Sequence, residues 1–266
     1  MSDNLSKLIK TSNKMIDVAT GMLQACQLKR KKVYSHSRFA ASFFLRRSWE
    51  MFESFLILVK EGRIIDSALL LRSFLDMGIT LGYIFAKDID ETESEKRAYL
   101  YLIEGNCYQL KLANSNLNGF RKFESNIDER RDELEKQVKD LETDFKKRYG
   151  EEEQKFPSSI EERAKQSNYD ILREVYDQSY RVLSSIEHHS FFFGQDYVDS
   201  DECEPLKEIN HLERHPQLKL VVSLFYFRSI FIEILNVFNN VFRLDWEKQI
   251  TELRALQDEE YVLLRE

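Results

Sequence analysis

Only three prolines, Pro157, Pro205 and Pro216, and eight glycines interrupt a chain of 266 residues. A sheet protein needs turn formers roughly every ten residues. A chain this poor in them predicts long helices instead. The expected fold class is all-α: a helix bundle of about eight helices, long enough to bury one substantial core as a single domain over residues 1–266.

Apolar spacing places the helices. Leu5, Leu8, Ile9, Met15, Ile16, Ala19, Met22 and Leu23 recur at helical intervals before the basic run Lys29 to Lys32. A second helix runs from about Ser37 to Glu61, where Gly62 stops it as a C′ glycine does. A third opens near Asp66 and runs to about Lys87. Both are apolar on most of their surface, which assigns them to the bundle centre. Gly78 and Gly82 on the third helix allow close packing by a neighbour.

A fourth helix is expected from about Thr92 to Asn118. The charged fifth carries Ile127, Leu134 and Leu141 seven residues apart, with Val138 and Phe145 between and beyond. So narrow a seam suits a two-helix arm. Residues 92–155 are therefore expected to form an antiparallel hairpin, turning near Gly119, with Leu100, Ile103, Cys107, Leu110 and Leu117 facing the seam. Ser158 or Ser159 should cap a short helix, with Glu161 or Glu162 completing a capping box. A Tyr-rich helix follows, then an acidic loop of about 20 residues. The apolar Leu218 to Phe242 helix and an amphipathic helix from Asp245 close the chain.

A net charge of −7 argues against a protein that coats nucleic acid electrostatically, DNA above all, since that binding neutralises phosphates with clustered Lys and Arg, and leaves room only for a local basic cleft. Cys26, Cys107 and Cys203 lie far apart, without metal or disulfide spacing, and no cofactor motif occurs. The start of the chain lacks the apolar stretch of a signal peptide. Leu218 to Phe242 has the length of a membrane span, but Arg228 and Glu233 near its middle are costly in lipid. The expectation is a cytoplasmic protein with no membrane partner and no cofactor or metal.

The chemistry concentrates in YDQSYRVLSSIEHHS. Tyr176, Tyr180, Ser184 and His188 lie four apart, in one row on a helix. Arg181 precedes His188 by two turns and can share that face. An imidazole moves a proton at neutral pH and a guanidinium binds phosphate, so the pair suits phosphodiester chemistry without a metal. The plainer reading is a histidine satisfied by Ser184 or by a neighbouring carboxylate. Arg72 and Asp76 form an i,i+4 pair inside the apolar LLLRSFLDMG. Charges there must be paired to be tolerated. They serve as a structural ion pair between helices, or converge on His188, the carboxylate orienting the imidazole and the arginine adding a phosphate contact. Arg46, Arg47, Glu50 and Glu53 read as an exposed strip, and Phe191 to Phe193 as core closure.

Two segments, EGRIIDSALLLRSFLDMGITLGYIF and SSIEERAKQSNYDILREVYDQSYRVLSSIEHHS, together about a quarter of the chain, resemble a bacterial family known as domain of unknown function 5677. The resemblance rests on Arg72, on Asp76 where that family usually has Glu, and on Tyr176, Tyr180, Ser184 and His188. It implies an all-helical protein, some members lying near phage-defence or toxin genes. No counterpart to the arm or to the tail after Ser200 is discernible. The spacing of Arg181 and His188 is also similar to that of HEPN ribonucleases, although Val182 stands where their motif carries a polar residue. That similarity implies a homodimer in which two protomers build one metal-independent RNA-cleaving site. The leading expectation is thus a defence or toxin-type effector that cleaves RNA, with His188, Arg181, Arg72 and Asp76 as catalytic residues. The alternative is a non-catalytic subunit binding a protein partner through the arm and the acidic loop, and a third is a small-ligand sensor.

Overall fold

The computed structural model describes residues 3–28, 35–116, 127–150, 155–187 and 216–263. Among the described residues there are nine helices and no strands: α1 (Asp3–Leu28), α2 (His36–Lys60), α3 (Ile64–Ile84), α4 (Glu91–Asn116), α5 (Ile127–Tyr149), α6 (Ile160–Gln166), α7 (Asp170–Glu187), α8 (Pro216–Phe242) and α9 (Glu247–Leu263). The protein is an all-α helix bundle. The turn near Gly119, the acidic loop, Phe191 to Phe193 and His188 lie outside the described residues.

Local chemistry sets the helix ends. Ser35 caps α2, its Oγ accepting a hydrogen bond from Arg38 N at 3.1 Å. At the other end Gly62 takes φ +69°. Arg63 N then donates to Leu58 O at 2.9 Å and Gly62 N to Val59 O at 3.2 Å, so the last carbonyls of α2 are satisfied by a Schellman turn. Of the two serines before α6, Ser159 is the cap, accepting from Glu162 N.

The core is built where α2, α3 and α8 meet. Phe227 of α8 stacks on Phe74 of α3 at 3.7 Å and on Phe55 of α2 at 4.2 Å, and Phe231 meets Phe52 edge-on at 4.8 Å. The glycines of α3 permit this closeness. A Cβ on Gly78 would lie 2.5 Å from Ile230 Cγ2, and one on Gly82 2.7 Å from Leu172 Cδ1. The stretches Asp66–Ile84 and Val221–Phe242 are long and apolar enough to cross a membrane. In the bundle their apolar faces are packed against neighbouring helices, and the charges of α8 find partners on α9. Arg228, fully buried, pairs with Glu260 at 2.7 Å, and Glu233 pairs with Arg254 at 2.9 Å.

α4 and α5 pack on one another in antiparallel fashion, Tyr99 meeting Phe145 edge-on at 5.7 Å. Leu134 and Val138 of the heptad seam are buried but stand apart from the main core cluster. Nearer the base, Tyr99, Leu100 and Phe145 join the core. α4 and α5 are thus joined to the core through Tyr99, Leu100 and Phe145, with Leu134 and Val138 in a separate buried seam.

Candidate functional site

α7 runs antiparallel along α3, because Leu172 near its start covers Gly82 while Tyr180 farther on reaches Arg72. Three polar side chains of α3 spaced one turn apart, Arg72, Asp76 and Thr80, face this junction. The guanidinium of Arg72 lies over the Tyr180 ring, 3.8 Å from its centroid, donates to the Tyr180 hydroxyl and pairs with the Asp76 carboxylate. Tyr176 packs against Tyr180 with ring centroids 4.5 Å apart. Stacking and pairing together hold Arg72 in a segment that is otherwise core.

A second guanidinium arrives from α6. Arg163 Nη1 donates to Thr80 Oγ1 at 2.6 Å, and Thr80 in turn donates to the Asp76 main-chain carbonyl at 2.8 Å. Burial pulls the Arg163 guanidinium below its usual range, while Asp76, Tyr101, Tyr180 and Glu104 act in the opposite sense. Burial also pushes the Tyr101 phenol up, with Arg163 opposing. Arg72 and Arg163 therefore share a field in which Asp76 is the nearest counter-charge. Arg72 is buried, but the Asp76 side chain is 33% exposed, so the cluster opens to solvent. Guanidinium groups brought together from α3 and α6, with Asp76 between them and Glu104 also acting on Arg163, are suited to bind an anion such as a phosphodiester.

The remaining sequence candidates are placed in part. Arg181 and Ser184 sit on α7, but their side chains lie outside the described residues, as does His188. The convergence of Arg72 and Asp76 on His188 therefore falls outside what the structure describes. Arg46 and Arg47 are exposed and pair with Glu50 along α2, away from this cluster. Among the described residues no three His, Cys, Asp or Glu side chains are grouped as metal ligands would be.

Comparison with known families bears on this geometry. The sequence model of a family of unknown function, DUF5677, matches residues 38–205, more than half of the chain. The chain belongs to this family. The matched DUF5677 segment contains Arg72, Asp76, Thr80, Arg163, Tyr176 and Tyr180, so the whole described cluster lies inside it. It also spans α4 and α5, which corrects the expectation that the arm has no counterpart. The heptad seam is too sparse to show likeness by eye, yet the arm is part of the family segment. No curated protein and no solved structure matches the chain.

Sequence reading passed over Arg163, Thr80 and Tyr101, and also a second polar cluster. His36 at the start of α2 stacks on Tyr99 at 3.9 Å, and its Nδ1 lies 2.7 Å from Glu95 Oε1. The same carboxylate accepts from the main-chain N–H groups of His36 and Ser37, both at 2.8 Å. Burial would raise the Glu95 carboxyl, but these hydrogen bonds outweigh it and hold the group at about 2. Tyr99 continues the chain by donating to Asp144 at 2.8 Å, which pairs with Arg148 at 2.8 Å. This cluster ties the start of α2 to the hairpin and has the character of a structural clamp.

Proposed function

We propose that this protein is a bacterial defence or toxin-type effector of the cytoplasm that cleaves RNA without a metal, in the manner of HEPN ribonucleases. The observation that carries the reading is the convergence of Arg72 and Arg163, from two different helices, around Asp76 and Tyr180 at a solvent-reaching junction. Such a junction binds an RNA phosphate and offsets the charge that builds on it during cleavage. Arg181 of α7 and the His188 that follows that helix in sequence supply the rest. In the proposed reaction His188 takes the proton of a ribose 2′-hydroxyl, whose oxygen attacks the adjacent phosphorus as the bond to the 5′-oxygen breaks. The 5′-oxygen takes a proton from water, leaving a 2′,3′-cyclic phosphate and a 5′-hydroxyl. Arg181 holds the phosphate, and Arg72, Asp76 and Arg163 support it.

The test is cleavage of an end-labelled RNA in excess chelator by the wild type and by His188→Ala, Arg181→Ala and Asp76→Asn. Cyclic-phosphate products from the wild type, lost in the folded His188→Ala protein, are expected. Cleavage that survives His188→Ala, or that requires a divalent ion, overturns the proposal.

A second reading has its own observation. On the outer half of α4, Tyr108 and Leu112 are 60% and 43% exposed and stand one turn apart, apolar groups on an otherwise charged arm. They suit a non-catalytic subunit that docks a protein partner on the hairpin. A partner that co-purifies with the wild type but not with Tyr108→Ser/Leu112→Ser, together with no RNA cleavage by either, selects this reading.

A further inference from the structure

A cleft of about 930 Å³ opens at the far end of the bundle, where α2 and α4 begin and α3 and α8 end. It shares no residue with the Arg72 cluster. Its volume lies in the range of small-ligand sites, roughly 300–1,000 Å³, and is far more than a lone phosphate fills.

Its charges are arranged for an anion. The Arg38 guanidinium lies over the Phe242 ring at 5.2 Å, and the Lys87 ammonium over the Tyr169 ring at 4.7 Å. Cation–π contact holds both side chains at the cleft, and the Glu233 carboxylate of α8 also acts on Lys87. Among the described residues neither is in an ion pair. Of the carboxylates along the same walls, Glu91 pairs with Arg243 of the same cleft at 2.5 Å, and Asp90 Oδ1 accepts from Glu93 N at 2.8 Å. Glu95 already occupies the first N–H groups of α2, so helix ends are not what selects the ligand. Arg38 and Lys87 are.

The uncharged wall adds a second kind of recognition. Asn236 and Asn240 stand one turn apart on α8 and line the cleft beside the apolar Val237 and Val241. Carboxamides offer donor and acceptor together, the pattern that reads the edge of a heterocyclic base, while apolar side chains cover its faces. We infer that this cleft binds a free nucleoside phosphate, its phosphate held by Arg38 and Lys87 and its base set against Asn236 and Asn240.

The full chain is to be titrated by calorimetry with adenosine and guanosine mono-, di- and triphosphates, and separately with inorganic phosphate, pyrophosphate and the free nucleosides. Saturable binding of at least one nucleotide is expected, about tenfold or more tighter than its phosphate or nucleoside alone. Arg38→Met/Lys87→Met should weaken it by about tenfold or more with an unchanged circular dichroism spectrum. Asn240 is exposed, so Asn240→Leu keeps the test open if the double variant does not fold: it should weaken the nucleotide but not pyrophosphate. No binding at ~1 mM, equal binding of inorganic phosphate, or binding unchanged in a folded variant each overturns the inference. None of these variants touches Arg72, Asp76 or Tyr180, so the result stands apart from the proposed RNA cleavage.

Discussion

Replacing Glu95 by glutamine isolates one partly buried charge whose worth follows from its surroundings. Its carboxylate receives two main-chain N–H groups of α2 and faces His36 Nδ1, all within 2.8 Å. Lowering the group from its ordinary 4.5 to about 2 corresponds to roughly 3 kcal/mol at most. The side chain is 22% exposed, and solvent screening reduces the contribution to about 1–2 kcal/mol. Because the folded value is depressed, this stability is fully present above the unfolded value near 4.5 and is lost as pH falls toward about 2. Urea denaturation at pH 7 should therefore find Glu95→Gln less stable than wild type by about 1–2 kcal/mol, and thermal melts should show a fall in Tm of roughly 2–4 °C. The gap should narrow as pH falls, with more than half of it gone by about pH 3. A gap of the same size at both pH values would refute the reasoning, because it would make the loss steric rather than ionic.

Gly82→Ala must displace Leu172 and Ser167, whose atoms lie 2.7 and 3.2 Å from the added Cβ, and should cost about 1–3 kcal/mol by denaturation. At the buried pair of α8 and α9, losing one charge and losing both should have unequal effects. Glu260→Ala leaves Arg228 charged and fully buried and should cost about 3–5 kcal/mol, whereas Arg228→Met/Glu260→Leu, which removes both charges, should be near neutral or stabilising, as thermal melts will show. Tyr180→Phe keeps the ring over Arg72 and removes its hydroxyl, so a loss of about 1–3 kcal/mol is expected, with Tyr180→Ala costing more because the stacking goes too.

Much of the fold was legible because its signals are local. Gly62 ends α2 and Ser159 starts α6 through contacts within five residues, and the scarcity of turn formers needs no tertiary knowledge. Arg72 and Asp76 stood out for a related reason, being charges one turn apart inside an apolar helix. Arg163 gave no such signal. It lies in IEERAKQ, a short charged helix with no apolar run around it to set the arginine apart, and its contact with Thr80 spans 83 residues. The Glu95 clamp was invisible on the same ground, since His36 and Glu95 are separated by 59 residues and neither belongs to a pattern. Periodicity reports which face of a helix is buried. It does not report which helix lies opposite.

That distinction also separates the site from what holds it. The DUF5677 segment, residues 38–205, carries every described residue of the arginine cluster but ends before α8. Yet α3, which presents Arg72, Asp76 and Thr80, is seated on α8 through Phe74 against Phe227 and Gly78 against Ile230. Phe52 and Phe55 of α2 rest on the same helix. Leaving three such rings without cover forfeits roughly 1.5–3 kcal/mol each, a sum comparable to the ~5–15 kcal/mol that holds a domain folded. The family segment therefore draws a large share of its core cover from α8. Its chemistry is carried on α3, α6 and α7, and α3 is held in place by a helix outside the segment.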